Sequence, residues 1–368
     1  MLLKEKQVIR DTYEVDRYLG EGAFAEVYRV IHRFLGRQAM KVFKTTGMTI
    51  DETENLLSEA VFLSRIGHPN IVRVFDANVF QIERGTFGFF TMEYVAGGSL
   101  DQYWQSHGNS FVGIETTIDI LKQTCRGLAV AHEEDPPVIH RDIKPQNILV
   151  GYDGAGLRVR VSDFGLAKSV NPLTLMASAK GTIPFKSPEA LRDYKSDSAT
   201  GDIWALGVTL YLMLTDRFPY SSPDDGGKFL LSRFDRDLVP ANKFNVRVNK
   251  ELDKLLATCL AINPKKRPQT AKELLIALEG LDKTNRELKS ASDNNREGVD
   301  SSKSALGMHD PASEGMARKK ARKAQRIARQ STKIIEAADL MEEAINEWPL
   351  LQDEYGYMIN LWRRGLTM

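Results

Sequence analysis

Val138-Ile139-His140-Arg141-Asp142-Ile143-Lys144-Pro145-Gln146-Asn147, then Ile148-Leu149-Val150, then Val161-Ser162-Asp163-Phe164-Gly165, is the stretch whose reading decides the fold. Two acids and an amide stand on loops between short apolar runs. Hard cations take oxygen ligands. An Asp and an Asn on neighbouring loops supply such oxygens, and the other Asp is left to accept a proton. This is the residue set that a magnesium–phosphate site needs. A His-Arg-Asp triplet alone reads as a surface loop; the longer run and the Asp-Phe-Gly after it separate this stretch from that reading.

The run from His140 to Asn147 resembles the catalytic loop of eukaryotic-type (Hanks-type) Ser/Thr protein kinases. Asp163-Phe164-Gly165 resembles their magnesium loop. The resemblance implies that Asp142 is the base that orients and deprotonates the substrate hydroxyl. It implies that Asn147 and Asp163 hold magnesium, and that Lys144, the Ser/Thr form of the loop, neutralises the transferring phosphate.

Upstream, Tyr13–Leu19 and Glu26–Ile31 read as strands around the turn Gly20-Glu21-Gly22-Ala23-Phe24-Ala25. Glycine permits close backbone approach, and exposed N–H groups in such a turn cradle phosphate. The turn lies between two strand patterns, unlike a dinucleotide fingerprint, which opens a helix. It is similar to the kinase Gly-rich loop, with Ala25 where a third glycine is usual, so the loop is expected to be slightly stiffer. Lys41, in the strand pattern Gln38–Phe43, resembles the lysine that binds the α- and β-phosphates. The resemblance pairs it with Glu59, on a helix expected from about Asp51 to Ile66. Ile71–Phe80 and Gly88–Met92 read as two further strands, completing a five-stranded sheet. Met92-Glu93-Tyr94-Val95 is similar to the kinase hinge, with Met92 as gatekeeper and the backbone of Glu93 and Val95 toward adenine. Ser99 falls at the ribose position. Leu19, Val27, Ala39 and Leu149 would enclose the adenine ring. The nucleotide contacts are thus expected over Leu19 to Val27 (Leu19, Gly20, Glu21, Gly22, Ala23, Phe24, Ala25, Glu26, Val27), then at Ala39, Lys41, Met92, Glu93, Val95, Ser99 and Leu149, with ATP and Mg2+ as cofactors.

Helical periodicity dominates beyond Leu100. Ile118, Leu121, Cys125 and Leu128 share one face of a helix over 117–133. Leu166 to Pro188 is polar and resembles an activation segment, with Gly181-Thr182 and Ser187-Pro188-Glu189 at its end. The Thr182 hydroxyl is expected against Asp142 and Lys144. Arg141, directly before the base, marks kinases whose segment is held by a phosphate. Thr174 and Ser178 are the expected autophosphorylation sites, ahead of Ser169. Glu189 is expected to pair with Arg267, and Asp202 to anchor the catalytic-loop backbone. Leu252–Leu260 and Ala271–Leu281 complete a helical lobe.

The fold class expected is α+β: a bilobal protein-kinase fold over 13–281, with a small lobe (13–95) of five antiparallel strands and one helix, and a mainly helical large lobe (96–281). Residues 282–315 are rich in Ser, Asp, Asn and Gly and read as a polar linker. Residues 316–368 form a basic and amphipathic helical extension. Met316–Gln330 holds seven Lys/Arg and no acid, and Ile327, Ile334, Met341 and Trp348 recur every seven residues. Pro349 breaks that pattern before a second short helix over Leu350–Trp362. This hairpin is expected to pack on the kinase, on a copy of itself as a homodimer, or on a protein partner; nucleic acid or membrane contact through the basic helix is the alternative.

The 50 Lys and Arg nearly balance the 49 Asp and Glu, so net charge points to neither nucleic acid nor membrane. Cys125 and Cys259 lie in apolar helical patterns and are expected to be buried free thiols of a reducing compartment. No signal-peptide pattern opens the sequence, and Ile203–Leu214 is too short to span a bilayer. A cytoplasmic Ser/Thr kinase acting on protein Ser or Thr hydroxyls follows. The alternative is a pseudokinase that binds nucleotide without transfer. Lys41, Asp142, Asn147 and Asp163 are the residues whose presence disfavours it, and Lys144 disfavours Tyr specificity.

Overall fold

The computed structural model describes residues 1–22, 25–44, 65–107, 111–153, 156–164, 183–193, 196–221, 231–281, 311–328 and 333–347, with six positions between 351 and 362. The expected helix over 51–66, with Glu59, lies almost wholly outside them. So do Ala23, Phe24, the 165–182 stretch that carries Ser169, Thr174, Ser178 and Thr182, and nearly all of the 282–315 linker.

A six-stranded antiparallel sheet forms the small lobe, in the order β1 (Val8–Ile9), β2 (Tyr13–Glu21), β3 (Ala25–His32), β4 (Gly36–Phe43), β6 (Gly85–Glu93), β5 (Val74–Ile82). The sequence suggests five strands. The sixth is β1, two residues that pair with Glu14 and Tyr13; a run this short leaves no alternation to read. Leu3 and Ile9 are buried with Tyr13, Val15 and Tyr28, so residues before Tyr13 contribute to the small-lobe core. The strand expected from Ile71 starts instead at Val74. Ile71 makes one isolated bridge to Val161, because Asn70 and Val72 are held by the Val161 backbone.

Alternation in β3 separates two cores. Ala25 and Val27 face the cluster shared with the large lobe, whereas Tyr28 and Val30 face the small-lobe cluster. Lys41 sits opposite Val27 on one side and Phe90 on the other, in the middle of the sheet.

The large lobe is built around α4 (Ala199–Thr215), which follows α1 (Leu100–Gln105), α2 (Ile114–His132) and α3 (Pro188–Arg192). Every α4 residue from Asp202 to Thr215 is buried. A helix apolar all round belongs inside a core, and each buried Leu or Ile there contributes about 1.5–3 kcal/mol. Ser198 caps its N-terminus by accepting from the Gly201 N–H. α5 (Lys250–Cys259) and α6 (residues 271–281) complete the lobe. Between the lobes, β7 (Ile148–Asp153) and β8 (Gly156–Val161) form a hairpin that packs on α2. Cys125 and Cys259 are buried and free. Burial pushes both thiols up, Cys259 to about 12, so both stay protonated at neutral pH.

The extension folds as a helical hairpin of α7 (Pro311–Ala328) and α8 (Ile334–Glu347). Ile327 and the pair Ile334 and Met341 of the heptad series therefore belong to two different helices that pack on each other; Trp348 and Pro349 lie outside the described residues. Ala317, Ala321, Ala324 and Ala328 are buried along α7, against Ala337, Ala338, Met341 and Ala344 of α8. Small side chains at that spacing let two helices approach closely. Trp362 and Met358 are buried as well.

Candidate active site

The catalytic loop hangs from α4. Asp202 Oδ2 accepts from the His140 N–H at 2.8 Å and Oδ1 from the Arg141 N–H at 2.9 Å, while His132 Nε2 lies 3.0 Å from Oδ2. Burial alone would raise the Asp202 carboxyl; the His132 hydrogen bond and the His140 contacts hold it below the usual range. This anchoring permits an unusual backbone. Arg141 has φ +69° and Asp163 φ +63°, a left-handed conformation that costs a non-glycine residue about 1 kcal/mol.

His140 is fully buried and packs on Phe164, with ring centroids 4.5 Å apart. Nε2 faces the Ser162 carbonyl at 2.8 Å and so donates to it; Nδ1 accepts from the Asp142 N–H at 3.3 Å. One nitrogen donates and the other accepts, which is a neutral imidazole. Burial, which pushes its pKa down, agrees.

Asp142, Lys144 and Asn147 are brought together. Lys144 Nζ lies 2.9 Å from Asp142 Oδ2, and Asn147 Nδ2 donates to the same oxygen at 2.9 Å and to the Asp142 carbonyl at 2.8 Å. Asp142 Oδ1 is buried and has no hydrogen-bond partner among the described residues. One carboxylate oxygen is thus fixed by two donors and the other is left for a third. Because Asn147 spends its amide N–H groups on Asp142, its oxygen remains for a cation.

Lys41 meets Asp163 across the cleft, with Nζ 2.5 Å from Oδ1. Burial would raise the Asp163 carboxyl, and the Lys41 charge holds it below the ordinary range. Glu59, the partner expected for Lys41, lies outside the described residues; among those described Lys41 pairs with Asp163. Asp163 and the Asn147 amide offer hard oxygens, which fit magnesium. Among the described residues no cluster of three or more His, Cys, Asp or Glu side chains could hold a metal, so a cation here would rely on Asp163, the Asn147 amide and phosphate oxygens.

Of the expected nucleotide residues, Ala23 and Phe24 lie outside the described residues. Ala39 and Met92 are paired in the sheet and buried, and Val27 and Leu149 pack on the same cluster. Leu19, Gly20 and Glu21 end β2, Leu19, Glu21 and Gly22 are exposed, and the Gly22 N–H donates to the Ala25 carbonyl. Ser99 caps α1 through a capping box with Gln102. Gly97 must be glycine, since a Cβ there would meet the Val150 carbonyl oxygen at 2.0 Å. Glu93 pairs with Arg160 at 2.6 Å, and the Val95 carbonyl accepts from Gly98. Glu26 lies apart from these. It is buried with Tyr28 and accepts from the Leu2 N–H at 2.7 Å, so strand alternation turns it from the cleft towards the N-terminal segment.

Arg141 lies near a carboxylate that sequence reading misses. Its Nε is 3.8 Å from Asp197 Oδ2, and its Nη1 donates to the Ile139 carbonyl. Lys186 Nζ donates to the Arg141 carbonyl at 2.9 Å and to Asp197 Oδ1 at 3.3 Å. Residues this far apart in the chain carry no local pattern that would have revealed the contact.

Comparison with known proteins gives the family and the fold. The protein kinase domain family matches residues 13–277. The chain is 32% identical over 275 residues to the serine/threonine-protein kinase PknB of Mycolicibacterium smegmatis, covering 73% of this chain and 42% of that one. It is 32% identical over 260 residues to a calcium/calmodulin-dependent protein kinase type II of Caenorhabditis briggsae, covering 70% and 46%. The chain thus spans less than half the length of these relatives. Among solved structures, the Mycobacterium tuberculosis PknI kinase domain superposes with a TM-score of 0.57 at 24% identity, over 76% of this chain and 99% of that domain. The chain belongs to the protein kinase domain family.

Proposed function

We propose that this chain is a Ser/Thr protein kinase, which transfers the γ-phosphoryl group of ATP to Ser or Thr hydroxyls of a protein substrate. The observation that carries the reading is the Asp142–Lys144–Asn147 cluster, in which Oδ2 of Asp142 is fixed by two donors and the buried Oδ1 has no partner among the described residues. In this reading a substrate hydroxyl donates to Asp142 Oδ1, which orients it and takes its proton. Lys144 sits where charge develops on the transferring group, and Lys41 orients the α- and β-phosphates from the sheet. Catalysis is then mostly positioning and charge neutralisation. Magnesium, held by Asn147 and Asp163, supplies further charge neutralisation at the phosphates. The kinase domain takes in residues 13–281, with 282–315 as a linker to the 316–368 extension.

Regulation by autophosphorylation on Thr174 or Ser178 is part of the proposal. Among the described residues, Arg141 and Lys186 set two cations against one carboxylate, Asp197, which favours a further anion there. A cytoplasmic location also belongs to it; no helix of the described residues is long and apolar enough to cross a membrane.

The extension is proposed to bind a second copy of this chain. α7 exposes Lys319, Arg322, Lys323 and Arg326, and α8 carries Glu336, Asp339, Glu342 and Glu343. Lys320 and Glu343 already meet at 3.5 Å within one hairpin. Opposite charges on the two helices suit an isologous contact in which each α7 faces its partner's α8. Light scattering at low and high salt tests this: a dimer weakened by salt is expected, and a monomer at low salt overturns it.

The decisive experiment for activity incubates purified protein with labelled ATP, magnesium and a Ser/Thr/Tyr peptide library. Transfer to Ser or Thr peptides is expected, together with segment phosphate on Thr174 or Ser178 by mass spectrometry. Nucleotide binding without transfer would favour the pseudokinase reading.

A further inference from the structure

We infer that Lys186, backed by Asp197, is a positioning residue that holds the peptide plane leading into Asp142. The carbonyl of Arg141 and the N–H of Asp142 belong to one planar peptide unit. Lys186 Nζ donates to that carbonyl at 2.9 Å, and the N–H donates to His140 Nδ1 at 3.3 Å. The unit is therefore held at both ends. Turning it would change ψ of Arg141 and φ of Asp142 together, and so swing the Asp142 carboxyl. Asp202 fixes the preceding N–H groups only; it does not touch this plane.

Lys186 is built for the task at both ends of its side chain. Its N–H bonds to the Ile183 carbonyl, and it stands between a 3-10 turn (Ile183–Phe185) and Ser187, the N-cap of α3. Phe185 beside it is buried and packs edge-on against Phe218. At the tip, Asp197 Oδ1 lies 3.3 Å from Nζ, and the two side chains are 24% and 19% exposed. A lysine normally keeps its ammonium in water and loses rotamer freedom when fixed. This one is drawn in by a carboxylate and aimed at a carbonyl. The same Asp197 lies 3.8 Å from the Arg141 guanidinium, so one carboxylate steadies both the side chain and the carbonyl of Arg141.

This inference rests on the phosphoryl-transfer reading but is tested apart from it. Wild type, Lys186→Met, Lys186→Arg and Asp197→Asn are compared after phosphatase treatment, so that no segment phosphate stands in for the contact. Lys186→Met is expected to lower kcat about tenfold while KM for ATP stays within about twofold, since misplacing a reacting group costs rate more than binding. Lys186→Arg, which still donates to the carbonyl, is expected to recover most of the rate, and Asp197→Asn to show a smaller loss. Amide hydrogen exchange at Asp142 reads the same contact without catalysis and is expected to quicken in Lys186→Met. Unchanged exchange and unchanged kcat in folded Lys186→Met overturn the inference. If that variant does not fold, Asp197→Asn decides in the same way. A wild type that transfers no phosphate, with Asp142 exchange still quickened by Lys186→Met, overturns the activity and leaves the positioning role standing.

Discussion

Asp142 joins two demands that pull against each other. In the proposed reading its carboxyl must be held rigidly, while Oδ1, which no described residue bonds, accepts from a substrate hydroxyl. The division is made by Lys144 and Asn147, which both bind Oδ2. Asp142→Asn keeps the shape and removes the proton acceptor; kcat is expected to fall by about 10²–10⁴, with ATP binding retained in a fluorescent-nucleotide titration. A near wild-type rate would remove Asp142 from the base position. Lys41 closes the cleft from the sheet by pairing with Asp163. Lys41→Met is expected to lower kcat by about 10² or more, and loss of the buried ion pair leaves Asp163 uncompensated, so its carboxyl should rise. Steady-state kinetics beside thermal unfolding separates the two effects: an undiminished kcat would place Lys41 outside the site.

At the scale of elements, α2 shows why local propensity misjudges a packed helix. Gly127 sits in its middle, where Ala would normally stabilise by about 1 kcal/mol. Here a Cβ would come within 2.6 Å of the Asn70 carbonyl oxygen and 3.3 Å of Ile71. Asn70 cannot easily give way, because its side chain donates to Gln123 and to the Val159 carbonyl. Gly127→Ala is therefore expected to destabilise by about 1–3 kcal/mol, the range for an overpacked core. Urea unfolding measures it, and a stabilised variant would show that α2 can move away from the 70–72 segment. The periodicity of α2 was legible from Ile118, Leu121, Cys125 and Leu128; the need for glycine was not, since it arises from a backbone more than fifty residues away.

Across the whole molecule, one buried cation ties α3, α4 and the segment before α6. Arg267 donates to both oxygens of Glu189, at 2.6 and 2.9 Å, to the Thr200 and Ala261 carbonyls, and lies over the Trp204 ring at 4.8 Å. Its side chain is fully buried. Arg267→Ala leaves Glu189 unpaired and is expected to cost about 3–5 kcal/mol, read as a lower denaturation midpoint with an unchanged slope; a loss below 1 kcal/mol would show the pair to be dispensable. The same pair governs acid stability. Burial would raise Glu189, and the Arg267 hydrogen bond holds it below its usual 4.5. A carboxyl depressed in the folded state contributes stability that is complete above its unfolded pKa and is lost as pH falls through the folded one. Unfolding free energy is thus expected to hold from neutral pH to about 4.5 and to fall below it, less steeply in Arg267→Ala. Equal slopes in the two proteins would refute the assignment.

The run His140–Asn147 with Asp163-Phe164-Gly165, the glycine turn and Lys41 determined the family and the lobes, and with them the chemistry proposed for the cleft, because those signals are local: a loop needs its residue types at fixed spacing, and strands and helices show their periods along the chain. Glu189 with Arg267 and Asp202 beneath the loop were legible only through family resemblance. Tertiary structure alone decided the rest. It decided that β1 adds a sixth strand, that Glu26 turns away from the cleft, that Asp163 meets Lys41, that α7 packs on α8, and that Lys186, held by Asp197, reaches the Arg141 carbonyl. Each of these depends on which distant segments come to lie side by side, through strand register, helix packing or the reach of one long side chain, and such contacts leave no period or motif in the segments that make them.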